Sequence, residues 1–442
     1  MTQSPKRFFN DLNRSFPRAD FLIAYSGGLD SSVLLHLCAE GAGEANRNRF
    51  LAVYVNHGLQ PESGQWAHHC MSTCAELDVN CRVLALGLPA KPGRSLEEIA
   101  RNARYGALLG LMTGDTVVLT AQHRDDQAET ILLQLLRGGG LSGLSGMPES
   151  IAFGPGVLHR PLLGFSRRFI RSYADQHALK WIDDPSNVDT VHDRNYLRHE
   201  IIPRIQLRWP GMDKTLARSG RHCAEARKII DARVESWFRL VIEPSRNTLL
   251  ISKLSEFDES QKRLILRHWI RQSGYRSPSE INLRRILGEA VTAAPDRFPR
   301  IQWDEAEVRR YRGELYLLSS PGKFDRNQVI PWSIRSPLPI PELGGVLECR
   351  RTKSADHNPG FSGKGISVRF RKGGETCRLP GRQGVRALKK IFQERAVPPW
   401  ERDRIPLIYI GDELAAIGDW LVCEPFQELG LEFRWIRTGS GH

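Results

Sequence analysis

The residues most able to do chemistry are Ser26-Gly27-Gly28-Leu29-Asp30-Ser31, set between the apolar run Phe21-Leu22-Ile23-Ala24 and Val33-Leu34-Leu35-His36-Leu37. That order predicts a buried strand, a glycine turn and an amphipathic helix. Adjacent glycines let a backbone turn tightly and approach a ligand with no Cβ in the way. Amides at a helix start point outward, and the helix dipole favours an anion there. The segment therefore predicts a phosphate cradle. It has neither the Lys of a GxxxxGK[ST] loop nor the spacing of GxGxxG, so it is not a Walker loop or a dinucleotide fingerprint.

A second constellation, Ala121-Gln122-His123-Arg124-Asp125-Asp126-Gln127-Ala128-Glu129-Thr130, follows the strand-like run Thr116-Val117-Val118-Leu119-Thr120. Acids opening a helix face its dipole favourably. Capping accounts for one of Asp125 and Asp126, but not for His123 and Glu129 around them. Asp126 and Glu129 are spaced i, i+3 and share a helix face. Two carboxylates so placed can hold Mg²⁺, bind an ammonium group or accept its proton. Arg101 and Arg104 share a face in the same way and can meet a phosphate together. Asn56-His57-Gly58 ends the run Leu51-Ala52-Val53-Tyr54-Val55 and can line a nucleotide pocket. Three polar stretches in an otherwise packed region also read as functional: His159-Arg160-Pro161-Leu162-Leu163, Asp184-Pro185-Ser186-Asn187 and Asp193-Arg194-Asn195-Tyr196-Leu197-Arg198.

The elements that must position these residues alternate between strand and helix patterns over residues 20–135. Helices are expected at Trp66 to Leu77 and Ser95 to Leu111, the second opening on a Ser95…Glu98 capping box. Alternation of this kind predicts an α/β, doubly wound parallel sheet covered by helices. Ligands bind outside the carboxyl ends of such strands, where Ser26, Asn56 and Gln122 fall. Arg137-Gly138-Gly139-Gly140-Leu141-Ser142-Gly143 is expected to be a mobile loop beside the site. Residues 213–292 read as helical, 298–318 as a β-hairpin and Pro331 to Pro341 as a boundary. The expected organisation is a catalytic domain over 1–212, a mainly helical middle domain over 213–325, a linker over 326–350, and a small, basic α+β C-terminal domain over 351–442.

Composition narrows the class. The chain has 442 residues, 40% hydrophobic and 26% charged, as in a soluble globular protein of several domains. No apolar run reaches the roughly 18 residues of a membrane span, and Met1-Thr2-Gln3-Ser4-Pro5-Lys6-Arg7 lacks the apolar core of a signal peptide. The eight cysteines are scattered with no CxxC, so a reduced, cytoplasmic protein is expected. The net charge is +13, which suits a polyanionic partner. Between Arg351 and Ile410 there are 14 Lys/Arg against 5 Asp/Glu. That concentration points to nucleic acid more than to general solubility. Leu388, Ile391 and Phe392 form an apolar stripe with Arg386, Lys389 and Lys390 mostly off it, which predicts a basic amphipathic helix over Val385 to Phe392.

SGGLDS resembles the pyrophosphate loop of the N-type ATP pyrophosphatases, and the other segments narrow the resemblance. YVNHGL, ARNARY, TAQHRDDQAET, RPLL, DDPSN, DRNYLR and the C-terminal LKKIFQE with VPPW are similar to those of the bacterial tRNA(Ile)-lysidine synthetases. The resemblance runs over nearly the whole chain. It implies that ATP activates C2 of cytidine 34 in the CAU anticodon of tRNA(Ile), and that the ε-amine of L-lysine then displaces AMP. It further implies that Ser26, Gly27, Gly28, Leu29, Asp30, Ser31, Asn56 and His57 bind ATP and that Asp30 helps place Mg²⁺. Asp126 and Glu129, supported by His123 and Asp125, would bind or deprotonate the lysine ammonium. Arg101 or Arg104 would steady the α-phosphate, and Arg194, Asn195, Arg386, Lys389 and Lys390 would meet the tRNA. A tRNA thiolase is the nearest rival, but paired cysteines for sulfur or a cluster are missing. A glutaminase-fused amidotransferase would need an N-terminal Cys, where Thr2 stands. The intact acids argue against a non-catalytic RNA-binding relic. The oligomeric state is left open by the sequence.

Overall fold

Short strands that are apolar on both faces need helices on both sides, and the sheet here is built that way. The structure, a computed structural model, describes residues 4–56, 58, 63–86, 96–294, 297–304, 306–320, 324–351, 365–381, 384–424 and 426–437. The chain divides into two units, residues 1–231 and 232–442.

In the first unit, Asp20–Ala24 (β1), Phe50–Asn56 (β2), Asn80–Ala85 (β3), Thr116–Leu119 (β4), Ser150–Phe153 (β5) and Gly156–His159 (β6) form one sheet in the order β3-β2-β1-β4-β6-β5. Neighbours are parallel except β5, which runs antiparallel to β6 at the edge. The helices are Pro5–Ser15 (α1), Leu29–Ala42 (α2), Ser63–Glu76 (α3), Leu96–Leu109 (α4), Arg124–Leu136 (α5), Leu141–Leu144 (α6), Arg167–Gln176 (α7), Asp193–Tyr196 (α8) and Ile202–Arg208 (α9), and Met212–Val241 (α10) begins here and ends in the second unit. Phe21 and Ile23 of β1 pack on one side with α1, α2 and α7, while Leu22 packs on the other with Leu108 of α4. The strand order reverses between β1 and β4. The loops that leave those two strands therefore open onto a common crevice at their carboxyl ends.

Several local expectations change. α2 is buried almost all round rather than amphipathic, because α1 and α7 cover the face that would have met solvent. β3 is an only partly buried strand whose apolar residues are interrupted by Arg82, so it does not stand out in the sequence. The glycine-rich stretch after α5 is a tight turn into α6. Gly139 and Gly143 lie against Gln134, and Gln127 holds Met147 through two hydrogen bonds of 2.9 and 2.7 Å. The Ser95…Glu98 capping box and His57 fall outside the described residues and side chains.

In the second unit, Ile242–Glu243 (β7), Thr248–Leu250 (β8), Arg300–Trp303 (β9), Ala306–Tyr311 (β10) and Glu314–Ser319 (β11) make an antiparallel sheet in the order β7-β8-β11-β10-β9. It packs with Ile251–Leu254 (α11), Glu259–Gln272 (α12) and Glu280–Arg285 (α13) around the fully buried Trp269. The helical region thus carries its own sheet.

The stretch expected as a linker contains Ile330–Pro331 (β12), Leu338–Ile340 (β13) and Gly345–Arg351 (β14). These pair with Ile366–Arg369 (β15) and Leu431–Arg437 (β21), so the segment belongs to the C-terminal sheets. Its prolines did not exclude strands because β12 and β13 are edge strands, where a missing N–H is tolerated. Thr376–Arg378 (β16), Val385–Ala387 (β17), Leu388–Glu394 (α14), Pro399–Arg402 (α15), Leu407–Ile410 (β18), Glu413–Ile417 (β19) and Leu421–Val422 (β20) complete the unit. Cys377 and Cys423 meet in its core and are joined as a disulfide. The expectation of wholly reduced cysteines is corrected there; a separation of 46 residues gave no local signal.

The turn after β1 depends on Gly27. Its φ is +77°, and a Cβ there would stand 2.7 Å from Ile182 Cδ1 and 3.0 Å from Cys70 Sγ. Gly27→Ala combines left-handed strain with overlap and is expected to cost about 1–3 kcal/mol. Thermal or denaturant unfolding checks this, and a variant as stable as the parent would contradict it.

Candidate active site

The phosphate cradle forms at the start of α2. Gly28 is its N-cap and supplies no side-chain cap, so the first-turn amides remain available to an anion. Ser31 Oγ donates to Gly28 O at 2.9 Å and lies 3.0 Å from Ser26 Oγ, which places two hydroxyls beside those amides. Asp30 follows in the first turn. Its Oδ1 is buried and has no hydrogen-bond partner among the described residues, although over a third of the side chain is exposed. Asn56 ends β2 and accepts the Gly58 amide at 2.8 Å, closing a small turn.

Across the crevice, His123 caps α5. Its Nδ1 accepts the Asp126 amide at 3.3 Å, and Asp126 Oδ2 accepts the His123 amide at 3.0 Å. This reciprocal cap turns the imidazole Nε2 toward Asp30 Oδ1, at 3.6 Å, and Asp126 Oδ2, at 3.5 Å. Asp125 Oδ2 lies 3.8 Å from Nδ1. Three carboxylates thus surround one imidazole that is almost completely buried. Burial works against the imidazolium, but Asp30, Asp126 and Asp125 outweigh it and raise its pKa. Burial likewise penalises the Asp126 carboxylate, yet His123, Arg194 and Arg198 together hold its pKa below the ordinary value.

Glu129 lies one turn further along α5 and is 2% exposed. Arg194 Nε donates to its Oε2 at 2.8 Å, and Arg198 donates to Oε1 at 2.6 Å and to Oε2 at 2.9 Å. Arg198 also reaches Asp126 Oδ1 at 3.0 Å. The Arg198 guanidinium is disfavoured by burial, but Glu129 and Asp126 more than compensate and raise its pKa. The two arginines come from α8 and from the π-helical turn Leu197–Ile201 that follows it. Pro203 stands at the start of α9 and cannot donate into a regular helical ladder, which favours a widened turn before it.

These contacts revise several expectations. Glu129 shares face and register with Asp126, but its oxygens are taken by two guanidiniums, so it is not offered to an amine. Arg194 takes part in this ion cluster, with about a third of its side chain exposed. Asn195 donates to Asp189 O at 2.8 Å and ties its own loop. Asp125 accepts the Arg167 amide at 2.8 Å and so fastens α7 to α5. Arg101 stacks on Tyr105, with its guanidinium carbon 5.3 Å from the ring centre. Burial lowers the pKa of Arg104, and the nearby Arg101 charge adds to that. Arg160 is buried and its guanidinium donates to Pro148 O at 2.7 Å. Arg198 was missed as a site residue, although its spacing of four from Arg194 was visible.

In the second unit, α14 buries Leu388, Ile391 and Phe392 and exposes Lys389 and Lys390. The helix starts later than expected, since Val385–Ala387 is strand β17. Arg386 therefore sits on a strand, where it pairs with Glu394 at 2.6 Å. Among the described residues no group of three or more His, Cys, Asp or Glu is spaced to hold a metal ion, and no helix is long and apolar enough to cross a membrane.

Comparison with known proteins follows the same division. A PP-loop domain profile matches residues 1–205, a TilS substrate binding domain profile matches 249–316, and a TilS substrate C-terminal domain profile matches 366–435. The chain is 37% identical to the tRNA(Ile)-lysidine synthase of Coxiella burnetii, with 98% of this chain and 96% of that one covered. It is 40% identical to the Methylococcus capsulatus enzyme of the same name, covering 92% and 93%. For the Pectobacterium atrosepticum enzyme the identity is 41%, covering 91% of each chain.

The raised His123 pKa has a definite sign. The stability it contributes is fully present below the unfolded imidazole value of about 6.5 and is lost as pH rises through the folded value. NMR titration of the His123 ring is expected to give a midpoint above 6.5, and Asp30→Asn should lower it. A midpoint below 6.5, or one indifferent to Asp30, would contradict the charge arrangement.

Proposed function

The chain belongs to the tRNA(Ile)-lysidine synthase family, and on that premise we propose that it joins the ε-amine of lysine to C2 of cytidine 34 in the CAU anticodon of tRNA(Ile). The product is lysidine, which changes decoding from AUG to AUA. The observation that carries this reading is the facing of a phosphate cradle and a carboxylate–imidazole–guanidinium cluster at the carboxyl ends of β1 and β4. This is a ligase site for ATP activation followed by capture of an amine.

The C2 carbonyl of cytosine is a poor electrophile with a poor leaving oxygen. In the first step that oxygen attacks the α-phosphorus of ATP and pyrophosphate departs. In the second the lysine amine attacks C2, the C2–O bond breaks, AMP leaves with the oxygen, and the amine gives up a proton. No enzyme nucleophile is needed, so the protein's task is positioning and charge stabilisation. The α2 amides with the Ser26 and Ser31 hydroxyls hold phosphates, Asn56 lines the nucleotide pocket, and Arg101 or Arg104 steadies the α-phosphate. Asp125, the more exposed of the two, offers a lysine ammonium its carboxylate, with Asp126 held behind it by Arg194, Arg198 and the His123 amide. His123 supports these carboxylates, holding Asp126 through the reciprocal cap and facing Asp30 with Nε2. Glu129 fixes Arg194 and Arg198 behind them.

Mg²⁺ fits this set. The buried Oδ1 of Asp30, which makes no hydrogen bond among the described residues although His123 Nε2 lies 3.6 Å away, sits beside the phosphate cradle and suits one protein ligand to a cation otherwise held by phosphate oxygens and water. When bound, the ion would neutralise phosphate charge. Lys389 and Lys390, exposed on α14, are suited to the tRNA backbone. The cytoplasm is the compartment that a tRNA-modifying role implies.

Mass spectrometry of tRNA(Ile) after incubation with ATP and lysine tests this reading. The expected result is tRNA-dependent lysine incorporation with no need for sulfide. Asp30→Asn is expected to lower that rate by at least about 100-fold while tRNA affinity stays within about threefold by filter binding. Full turnover by Asp30→Asn would contradict its role, and tRNA left unmodified by the parent would contradict the function.

A further inference from the structure

The ion cluster on α5 gives way, along the same helix face, to an open apolar groove of about 460 Å³. Leu132, three residues after Glu129, lines it from α5. Ile205, Arg208 and Trp209 line it from α9 and the turn beyond, and Leu216 lines it from α10. Leu132 to Glu129 is less than one helical turn, so the groove begins about 5 Å along the helix from the buried carboxylate. Below its floor, Ala128, Ile202 and Met212 form a small buried cluster of their own. The groove is therefore built onto a fixed base.

Its upper surface is not that of an ordinary solvated helix end. Trp209 is 62% exposed and Leu207 87% exposed. The Trp209 backbone is nonetheless held, since its amide donates to Ile205 O at 2.8 Å and its carbonyl accepts from the Met212 amide at 3.0 Å. A large aromatic plane is thus presented on a rigid mount. The rim around it is cationic. Arg208 lines the groove, and Lys214, Arg218 and Arg221 follow at i, i+4 and i+7 spacing on α10; all four are exposed. None of the four has an ion-pair partner shown among the described residues. Between Arg198 and Lys228 there are eight Lys/Arg against three Asp/Glu.

An apolar floor with an exposed indole and a basic rim is the chemistry that takes an unpaired nucleobase and its phosphates. Base stacking on an aromatic ring is sequence-tolerant, and the rim cations meet the backbone. A protein partner would find the apolar floor, but the uncompensated cations favour a polyanion. We propose that this groove is a stacking subsite for an unpaired base of the RNA substrate next to the cytidine being modified. The subsite rests on the lysine-ligation reading, which supplies the RNA, and it adds a residue that reads RNA from outside the reacting cluster. It positions the anticodon strand by one base while the cluster handles the neighbouring cytidine.

The test compares Trp209→Ala, Trp209→Phe and Trp209→Leu in the full chain. Lysidine formation is followed by mass spectrometry, and binding of tRNA(Ile) by filter retention at several salt concentrations. Trp209→Ala should weaken tRNA binding by about 5- to 100-fold, with the loss falling on KM for tRNA and not on KM for ATP. Trp209→Phe should recover most of the affinity, and Trp209→Leu should not, because leucine fills space without a π-face. Arg208→Gln should weaken binding moderately and reduce the salt slope by about one. Equal recovery by leucine and phenylalanine, or unchanged tRNA affinity in Trp209→Ala at a parental melting temperature, would overturn the stacking subsite. A change in oligomeric state in Trp209→Ala with unaltered tRNA binding would overturn it too and mark the groove as a protein contact. The lysine-ligation reading fails separately, if the parent chain leaves tRNA(Ile) unmodified.

Discussion

The structure of the site depends on one buried carboxylate. Glu129 sits at 2% exposure with two guanidiniums on its oxygens. A carboxylate in that position, unpaired, would carry a desolvation penalty of several kcal/mol. The pairing therefore forces Arg194 and Arg198 inward and fixes the chain from α8 to α9 against α5. Arg198 in turn meets Asp126, whose other oxygen accepts the His123 amide, and His123 faces Asp30 at the start of α2. A chain of charge and hydrogen bonding thus connects the segments that follow β1 and β4. Removing Glu129 would leave two cations to find other partners in a poorly solvated place.

The fold places these loops by a separate and simpler rule. Parallel strands buried on both faces must be covered twice, and where their order reverses no helix lies over the strand ends. β1 and β4 are the neighbours at that reversal. The cradle on α2 and the acid cluster on α5 are then brought together by sheet topology, while the charge chain sets their mutual orientation. Gly27 and the His123–Asp126 cap are the local devices that let the two chain reversals occur in so little space.

Much of this was legible in the sequence, for physical reasons that can be named. The runs around Leu22 and Val118 are apolar at consecutive positions, as doubly covered strands must be, and the glycine pair and acids follow them directly. What did not show was long-range. Glu129 and Arg198 are 69 residues apart, so spacing within α5 suggested a free acid where the fold supplies a neutralised one. β3 is only partly buried and its apolar residues are interrupted by Arg82. The prolines at 331 and 339 suggested a linker because sequence does not reveal which strands lie at a sheet edge. Cys377 and Cys423 became neighbours only through the packing of the C-terminal core. Trp209 and its basic rim were visible as letters, but their exposure was not.

The central claim is that Glu129 is structural, a partner that holds two arginines, and not the base that takes the lysine proton. A double-mutant cycle on Glu129→Gln and Arg198→Met, read by denaturant unfolding alongside single-turnover lysidine formation, tests it most directly. The account predicts that each single variant loses about 3–5 kcal/mol of stability, as when one partner of a buried pair is removed. The double variant should lose clearly less than the sum of the two. Singles that keep parental stability and lose only the amine-transfer step would contradict it and return Glu129 to the role of a base.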